Sequence, residues 1–238
     1  MVLTLPCYQT RFTQGGLMKT NPEIFEEQKY VYVKKALSEP LANVAAQYGI
    51  FDSVVDFNAD QAQVKGAHSK YGDSLMESLL LHLRPIVEQA TGLQLYPTYS
   101  FYRTYKIGDE LKKHVDRPAC EISVSVCLGY NYNHNDPNYS WALWVGETAF
   151  SMEVGDIAIY RGLDVTHWRE PFEGNENSFQ VQAFLHYVDA NGPFAFLKND
   201  TRPAVGLPAE TRNPQLSEIA NEIHLKIETP SFVYLTRE

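Results

Sequence analysis

The stretch of residues 93–188 most constrains the fold, because it consists of short runs rich in β-branched and aromatic residues. Gly, Asn, Asp and Pro separate these runs, which are LYPTYSFYRTY, EISVSVCLGY, WALWVG, AFSME, DIAIYRG and FQVQAFLHYV. Short strands with turn residues at this density are typical of an antiparallel sandwich or barrel. The sequence therefore predicts a mainly β protein with flanking helices.

The rest of the chain divides around this β-rich core, which we place at residues 95–190. Residues 1–20 show little periodicity, and we interpret them as a loosely ordered lead-in. Residues 21–94 are expected to supply a strand and supporting helices, and residues 191–238 a C-terminal extension with a helix that packs on the core. We expect all four parts to form one globular unit.

Two helices are predicted before the core. In the first, Ser38 is a candidate N-cap and Gly49 a candidate stop. In the second, apolar residues recur at helical spacing between a capping Asp73 and a terminating Gly92. A short β-branched and aromatic run, Tyr30–Val33, precedes both helices and predicts a strand.

Composition excludes several classes of protein. The chain is 44% hydrophobic and 21% charged, which is typical of a folded domain. Its net charge of −9 offers no electrostatic footprint for phosphates, so nucleic acid is not an expected partner.

No apolar run approaches the roughly 20 residues that span a bilayer, and the amino terminus lacks a secretory hydrophobic region. Cys7, Cys120 and Cys127 form no CxxC pair, which agrees with a reducing compartment. We therefore expect a cytoplasmic protein without a membrane partner.

Three residues have the chemistry of a metal site. His114 and Asp116 lie two apart where the pattern enters a strand, so their side chains would project from one face. His167 follows the apolar run GDIAIYRG, and opposed strands of a barrel can bring it to the same ion. Two imidazoles and one carboxylate with open positions are the donor set of a non-haem Fe(II) oxygenase rather than of a closed zinc site.

The same region resembles the prolyl 4-hydroxylase-like branch of the 2-oxoglutarate and Fe(II)-dependent dioxygenases. The resemblance covers residues 105–189 and is carried by three features: the pattern YxxGxxLxxHxD from Tyr105 to Asp116, the Gly155-Asp156 turn that leads to His167, and the closing strand FLHYVD. It implies a double-stranded β-helix, or jelly-roll barrel, in which His114, Asp116 and His167 bind Fe(II) at the catalytic centre. It also implies 2-oxoglutarate and O2 as co-substrates and ascorbate as a stimulant.

The chain departs from this family at the residue that pairs with the distal carboxylate of 2-oxoglutarate. The family has a Lys or Arg about nine or ten residues after the second histidine, where this chain has Glu176 and Asn177. Alignment from the closing strand instead places Gln180 there, and Gln182 shares its face. A neutral amide is a weaker carboxylate partner than a guanidinium.

Arg169 is our candidate for the missing anchor. It lies two residues beyond His167, so in extended backbone both side chains point to the same face. The alternative is an ion pair with Glu170 or Glu173 outside the pocket, in which case the co-substrate itself would be in doubt.

Three further side chains are candidates for ligand contacts. Tyr105 matches the family tyrosine that donates to 2-oxoglutarate, with a core tyrosine as the alternative. Trp168 can line the substrate pocket or pack ordinarily. Arg117 can hold Asp116, meet the substrate or form a surface ion pair.

The closest branch of the family implies hydroxylation of a prolyl residue in a protein or peptide, with succinate and CO2 as co-products. The polar segment 131–140 is a candidate loop over such a peptide. Hydroxylation of a free amino acid or other small molecule is the alternative activity, and it predicts a more enclosed pocket. A barrel that binds metal or a carboxylate without turnover is the non-enzymatic alternative.

Overall fold

Two antiparallel sheets build the core in the computed structural model, which describes residues 19–60 and 62–228. The strands are β1 (Tyr30–Val33), β2 (His68–Tyr71), β3 (Leu95–Lys106), β4 (Leu111–His114), β5 (Ile122–Asn131), β6 (Leu143–Val145), β7 (Thr148–Phe150), β8 (Ile157–Arg161), β9 (His167–Arg169) and β10 (Phe179–Asp189). The major sheet has the strand order β1-β8-β5-β10-β3-β2 and the minor sheet the order β4-β9-β6-β7. This is the antiparallel β architecture that the sequence pattern predicts and the jelly roll that the family resemblance implies.

The helices are α1 (Asn21–Gln28), α2 (Glu39–Val55), α3 (Ser74–Thr91) and α4 (Pro214–Glu228). Apolar side chains of α1, α2 and α3 form one buried cluster with one face of the major sheet. The other face of that sheet turns toward the minor sheet, and the space between them holds the candidate site. None of the described helices is long and apolar enough to cross a membrane.

The second predicted helix is confirmed at both ends. The carboxylate of Asp73 accepts hydrogen bonds from the N–H groups of Leu75 and Met76, and Gly92 ends the helix with a φ of 74°. In this left-handed region a glycine carries no steric cost.

The prediction that Gly49 ends the first helix is wrong, since α2 continues to Val55. Gly49 serves close packing instead. A Cβ atom on it would lie 2.8 Å from Cγ1 of Val181 in the major sheet, and a Cβ on Gly129 of β5 would lie 2.8 Å from Cβ of Ala46. The two glycines let α2 lie directly on the sheet.

Two elements have no clear signal in the sequence. Helix α1 is short, and its start is fixed by a hydrogen bond of 2.7 Å from the N–H of Thr20 to the Glu23 carboxylate. Strand β2 has the polar sequence HSKY and owes its structure to pairing with β3 at the sheet edge. Cys7 and all but the last two residues of the predicted lead-in lie outside the described residues.

Candidate metal centre

The two histidines of the predicted triad are direct cross-strand partners, because His114 ends β4 and His167 begins β9. Asp116, in contrast, lies beyond the end of β4, so the expectation that it shares a strand with His114 is wrong. Its backbone N–H donates to the carbonyl of Gly162 at 2.8 Å. This bond holds the carboxylate beside both imidazoles although the strand has ended.

The donor atoms of the triad converge. Oδ1 of Asp116 lies 3.7 Å from Nε2 of His114 and 3.5 Å from Nε2 of His167. One ligand atom from each residue lies within 4.8 Å of the others, so all three can reach one ion. The structure thus brings together the three residues that the sequence singled out.

Main-chain carbonyls orient both rings. Nδ1 of His114 lies 2.7 Å from the carbonyl oxygen of Lys112, and Nδ1 of His167 lies 3.1 Å from that of Val165. A carbonyl oxygen can only accept, so each Nδ1 carries a proton, and Nε2 has a lone pair whenever the ring is neutral. Two such lone pairs repel the carboxylate oxygen that they face, and either a proton on His167 or a cation between the three groups removes this repulsion. The donor set therefore fits a divalent metal.

The electrostatics of the triad keep the carboxylate ionised. Burial raises the pKa of Asp116, but the positive charge of a protonated His167 outweighs burial and holds the pKa well below its usual range. Burial, together with His167, lowers the pKa of His114. For His167 burial is opposed by Asp116, and the pKa is raised.

A cavity of about 770 Å³ opens beside the triad. Aromatic and charged side chains line it together with the three candidate ligands: Asp60, Tyr99, Phe101, Arg103, Arg117, Tyr160, Phe184, His186 and His224. Its size falls within the range of roughly 300–1,000 Å³ that is typical of small-molecule sites. The cavity is therefore a candidate substrate site next to the metal centre.

Arg103 is a cavity residue that the sequence analysis missed. It is buried on β3, its Nε donates to Asp60 at 2.6 Å, and its guanidinium lies over the rings of Phe101 and Phe184. The signal was available, because Arg103 precedes the candidate Tyr105 by two positions and alternate strand residues share a face.

Arg117 lines the cavity but belongs to an ion pair. Its two terminal nitrogens donate to the carboxylate of Asp200 at 2.8 and 2.9 Å, and its guanidinium lies over the Tyr99 ring. Asp200 lies in the C-terminal extension, where no motif marks it. The extension is thereby joined to the residue next to a metal-ligand candidate.

Arg169 is fully buried in the barrel, with 0% of its surface exposed. Nη1 donates to the carbonyl of Trp141 at 2.5 Å and Nη2 to Oε1 of Gln182 at 3.2 Å, while Nε has no partner within the described chain. Arg103, Arg117 and Arg202 all form ion pairs, whereas Arg169 forms none with any described residue. The alternative pairing with Glu170 or Glu173 is therefore not seen.

Of the other co-substrate candidates, Gln182 contacts this guanidinium directly, and Tyr105 packs against Trp141, over whose ring the guanidinium lies. The hydroxyl of Tyr105 is buried without a hydrogen-bond partner among the described residues. Gln180 accepts from Tyr132 at 2.5 Å and donates to Gln182 at 2.6 Å. None of the four lines the cavity, but Arg169 pairs across the strands with Leu111, which does.

Trp168 lies away from the cavity. It follows His167 on β9, so its side chain points to the opposite face, where it stacks on Trp144 with centroids 5.4 Å apart. Its Nε1 donates to Glu170 at 2.9 Å. The segment 131–140 does not contribute to the cavity lining either.

Solved structures of several enzymes share this fold. A prolyl-4-hydroxylase from Pseudomonas putida is 15% identical, covers 68% of this chain and 95% of its own, and gives a TM-score of 0.52. An oxidoreductase of the 2OG-Fe(II) oxygenase family from Burkholderia pseudomallei is 14% identical, and the match covers 77% of this chain and 96% of the other with a TM-score of 0.56. The α-ketoglutarate-dependent carbocyclase SnoK of nogalamycin biosynthesis is 15% identical, and the match covers 70% of this chain and 82% of the other with a TM-score of 0.54.

No family model and no curated protein matches the sequence. At these identities the structural likeness establishes the fold. The chain has the prolyl 4-hydroxylase-like jelly-roll fold of the 2-oxoglutarate and Fe(II)-dependent dioxygenases, as its resemblance to that family predicts.

Proposed function

We propose that this chain is an Fe(II)- and 2-oxoglutarate-dependent oxygenase that hydroxylates a C–H bond. One observation carries the proposal: on this fold, two imidazoles fixed by main-chain carbonyls direct their Nε2 lone pairs at one carboxylate oxygen. His114, Asp116 and His167 would hold the iron. When bound, Fe(II) with 2-oxoglutarate and O2 supplies the oxidation, with succinate and CO2 as co-products.

The buried guanidinium of Arg169 supports a dicarboxylate co-substrate. Burying a cation without a counter-charge is costly, so an anion is expected to share its site. Nε of Arg169 and the hydroxyl of Tyr105 are both buried donors without a partner in the described chain. We propose that they hold the distal carboxylate of 2-oxoglutarate, and that Gln180 and Gln182 orient the guanidinium.

For the substrate we propose a prolyl residue of a protein or peptide, supported by the likeness to the Pseudomonas putida prolyl-4-hydroxylase. A second candidate is a small molecule such as a free amino acid, which a cavity of this size can hold. SnoK, which acts in nogalamycin biosynthesis, shows that this fold also occurs in small-molecule enzymes.

Anaerobic titration of the Fe(II)-loaded protein with 2-oxoglutarate tests the proposal. We expect a visible metal-to-ligand charge-transfer band in the wild-type protein and in His82→Ala, whose histidine is exposed on α3. The band should be absent in His167→Ala. Bound iron without a band on addition of 2-oxoglutarate would contradict the proposed co-substrate.

Succinate release then separates the substrate classes. Prolyl peptides should stimulate it if the first candidate is correct, and free amino acids if the second is. A protein that binds iron and 2-oxoglutarate but releases no succinate with either class, even after long incubation, would be a binding protein without turnover.

A further inference from the structure

The two carboxylate oxygens of Asp116 lie in different surroundings. Oδ1 faces Nε2 of both histidines, as described above. Oδ2 accepts a hydrogen bond of 2.6 Å from the hydroxyl of Ser123. One oxygen is thus turned toward the metal centre, while the other is engaged by the protein.

Ser123 lies on β5 with 0% of its surface exposed, and its hydroxyl has three neighbours. They are Oδ2 of Asp116 at 2.6 Å, Nδ1 of His186 at 3.0 Å and the carbonyl of Cys120 at 3.1 Å. A hydroxyl has one proton, and the short contact with an ionised carboxylate is the strongest of the three. Nδ1 of His186 must then be the donor to the serine oxygen.

His186 is suited to that role. It comes from β10, which pairs with β5, and His186 is the direct cross-strand partner of Ser123. Its ring lies against Tyr99, with centroids 4.6 Å apart, and is fixed there by packing. An imidazole with a proton on Nδ1 can donate to the serine oxygen.

Gly162 packs closely against the same carboxylate. A Cβ atom at this position would lie 2.8 Å from Oγ of Ser123 and 2.5 Å from Oδ2 of Asp116, closer than real Cβ contacts. Its carbonyl also accepts the Asp116 N–H. Backbone and side-chain contacts together leave the carboxylate one orientation.

We propose that Ser123, oriented by His186, is a positioning residue that presents Asp116 to the metal through Oδ1 alone. The inference rests on the metal centre of the proposed function, but not on 2-oxoglutarate or on any substrate. Hydrogen bonds to the ligands of a metal set their orientation and basicity, and removing one typically lowers the metal affinity by roughly 10- to 100-fold.

Titration calorimetry with Co(II), a stable substitute for Fe(II), tests the inference. We expect Ser123→Ala to bind Co(II) roughly 10- to 100-fold more weakly than the wild-type protein, and Ser123→Thr, which keeps the hydroxyl, to bind close to wild-type. The visible Co(II) bands of saturated Ser123→Ala should also change, because the freed Oδ2 can join the coordination. The matched control is Ser100→Ala, a buried serine on β3 whose hydroxyl has no partner within the described chain.

A second pair of variants tests the role of His186. His186→Asn keeps a side-chain N–H donor and should retain more affinity than His186→Phe, which has none. Thermal unfolding of each metal-free variant shows whether it is folded before its affinity is compared.

The outcomes separate this inference from the proposed function. A wild-type protein that does not bind Co(II) would contradict the metal centre itself. If the wild-type protein binds Co(II) and a folded Ser123→Ala binds it with the same affinity and spectrum, only the positioning role is wrong.

Discussion

At the scale of single residues, the metal centre depends on hydrogen bonds that fix ligands before any ion arrives. Main-chain carbonyls hold Nδ1 of His114 and His167, and Ser123 holds Oδ2 of Asp116. Ligands already oriented lose little freedom on binding, which favours affinity.

The first prediction concerns the three candidate ligands. His114→Ala, Asp116→Ala and His167→Ala should each abolish tight Co(II) binding, because two donors cannot hold the ion in this geometry. Equilibrium dialysis measures the bound metal, with His82→Ala as the control. If one of these three variants binds Co(II) with wild-type affinity, the substituted residue is not a metal ligand.

The second prediction concerns Arg169. Arg169→Ala should raise the 2-oxoglutarate concentration needed for half-saturation by 10-fold or more, since a charge-assisted hydrogen bond contributes about 1.5–3 kcal/mol. Half-saturation can be measured by the anaerobic titration described above, with Co(II) affinity as the control. If Arg169→Ala is unaffected while Arg103→Ala loses binding, Arg103 is the anchor instead.

The sequence could predict the triad but not its surroundings. The spacing of His114 and Asp116 and the family-like pattern around them are local, so they are visible in one segment. Ser123 and His186 meet only because β5 and β10 pair in one register, and that register depends on the whole sheet.

At the scale of elements, the buried carboxylate of Asp200 ties the C-terminal extension to the core. Asp200 accepts from Arg117 and, at 2.7 Å, from Tyr71, and it pairs with Arg212. The backbone of residues 199–201 has positive φ throughout, from 55° to 62°, which is strained for side chains with a Cβ. The ion pairs offset this strain.

The third prediction is that Asp200→Asn lowers the free energy of unfolding by about 1.5–3 kcal/mol at pH 7, because it leaves the half-buried guanidinium groups of Arg117 and Arg212 without their counter-charge. Burial raises the pKa of Asp200, but Arg117, Arg212 and Tyr71 outweigh burial and lower it. The stabilisation is therefore present above the unfolded pKa and is lost as the pH falls through the lower folded value.

Urea unfolding from pH 7 down to pH 3 measures this difference, which should shrink at the acid end. Asp164→Asn, which changes an exposed carboxylate, is the control. Equal stability of Asp200→Asn and wild-type protein at pH 7 would show that the ion pairs do not hold the extension.

The fourth prediction concerns the contact of α2 with the sheet. Gly129→Ala should cost about 1–3 kcal/mol of stability by overpacking against Cβ of Ala46. In the described chain, Cβ of Ala46 is the one atom that a Cβ on residue 129 would meet within 4 Å. The double variant Ala46→Gly with Gly129→Ala should therefore recover part of the lost stability. Denaturant midpoints of the four proteins give the coupling energy. A coupling energy of zero between the two substitutions would mean that α2 shifts away from the sheet in Gly129→Ala instead of clashing through Ala46.

The close packing of α2 on the major sheet also explains why the end of this helix could not be predicted. In the sequence, Gly49 has the signature of a helix stop, which is a local rule. The structure uses the missing side chain for tertiary packing, and that use depends on Val181, which lies far away in the chain.

At the scale of the whole molecule, strand composition was enough to predict an antiparallel sandwich or barrel, because turn residues recur between β-rich runs, and the family resemblance specified the jelly roll. The C-terminal extension was predictable only as a helix, since its attachment depends on single long-range contacts such as Asp200 with Arg117. His224 of α4 lines the cavity. The sequence could not predict this position either, because it depends on how the extension packs on the core.

The fifth prediction is that Co(II) stabilises the entire fold. At a free concentration 100-fold above its dissociation constant it should add about 2.7 kcal/mol, which corresponds to a rise in Tm of roughly 5–10 °C. Differential scanning calorimetry measures the shift, and His167→Ala should show none. A wild-type protein that binds Co(II) without a rise in Tm would indicate that the unfolded chain binds it equally well.

The pairing of His114 with His167 has a consequence for how the chain folds. The two residues face each other across β4 and β9 but lie about 50 positions apart in the sequence. Joining them costs chain entropy that grows with the logarithm of the intervening length. β4 and β9 are only four and three residues long, so they have few hydrogen bonds to repay that cost. We expect chains that collapse around a divalent cation to close this loop earlier, which makes the ion a template for the order in which the strands assemble.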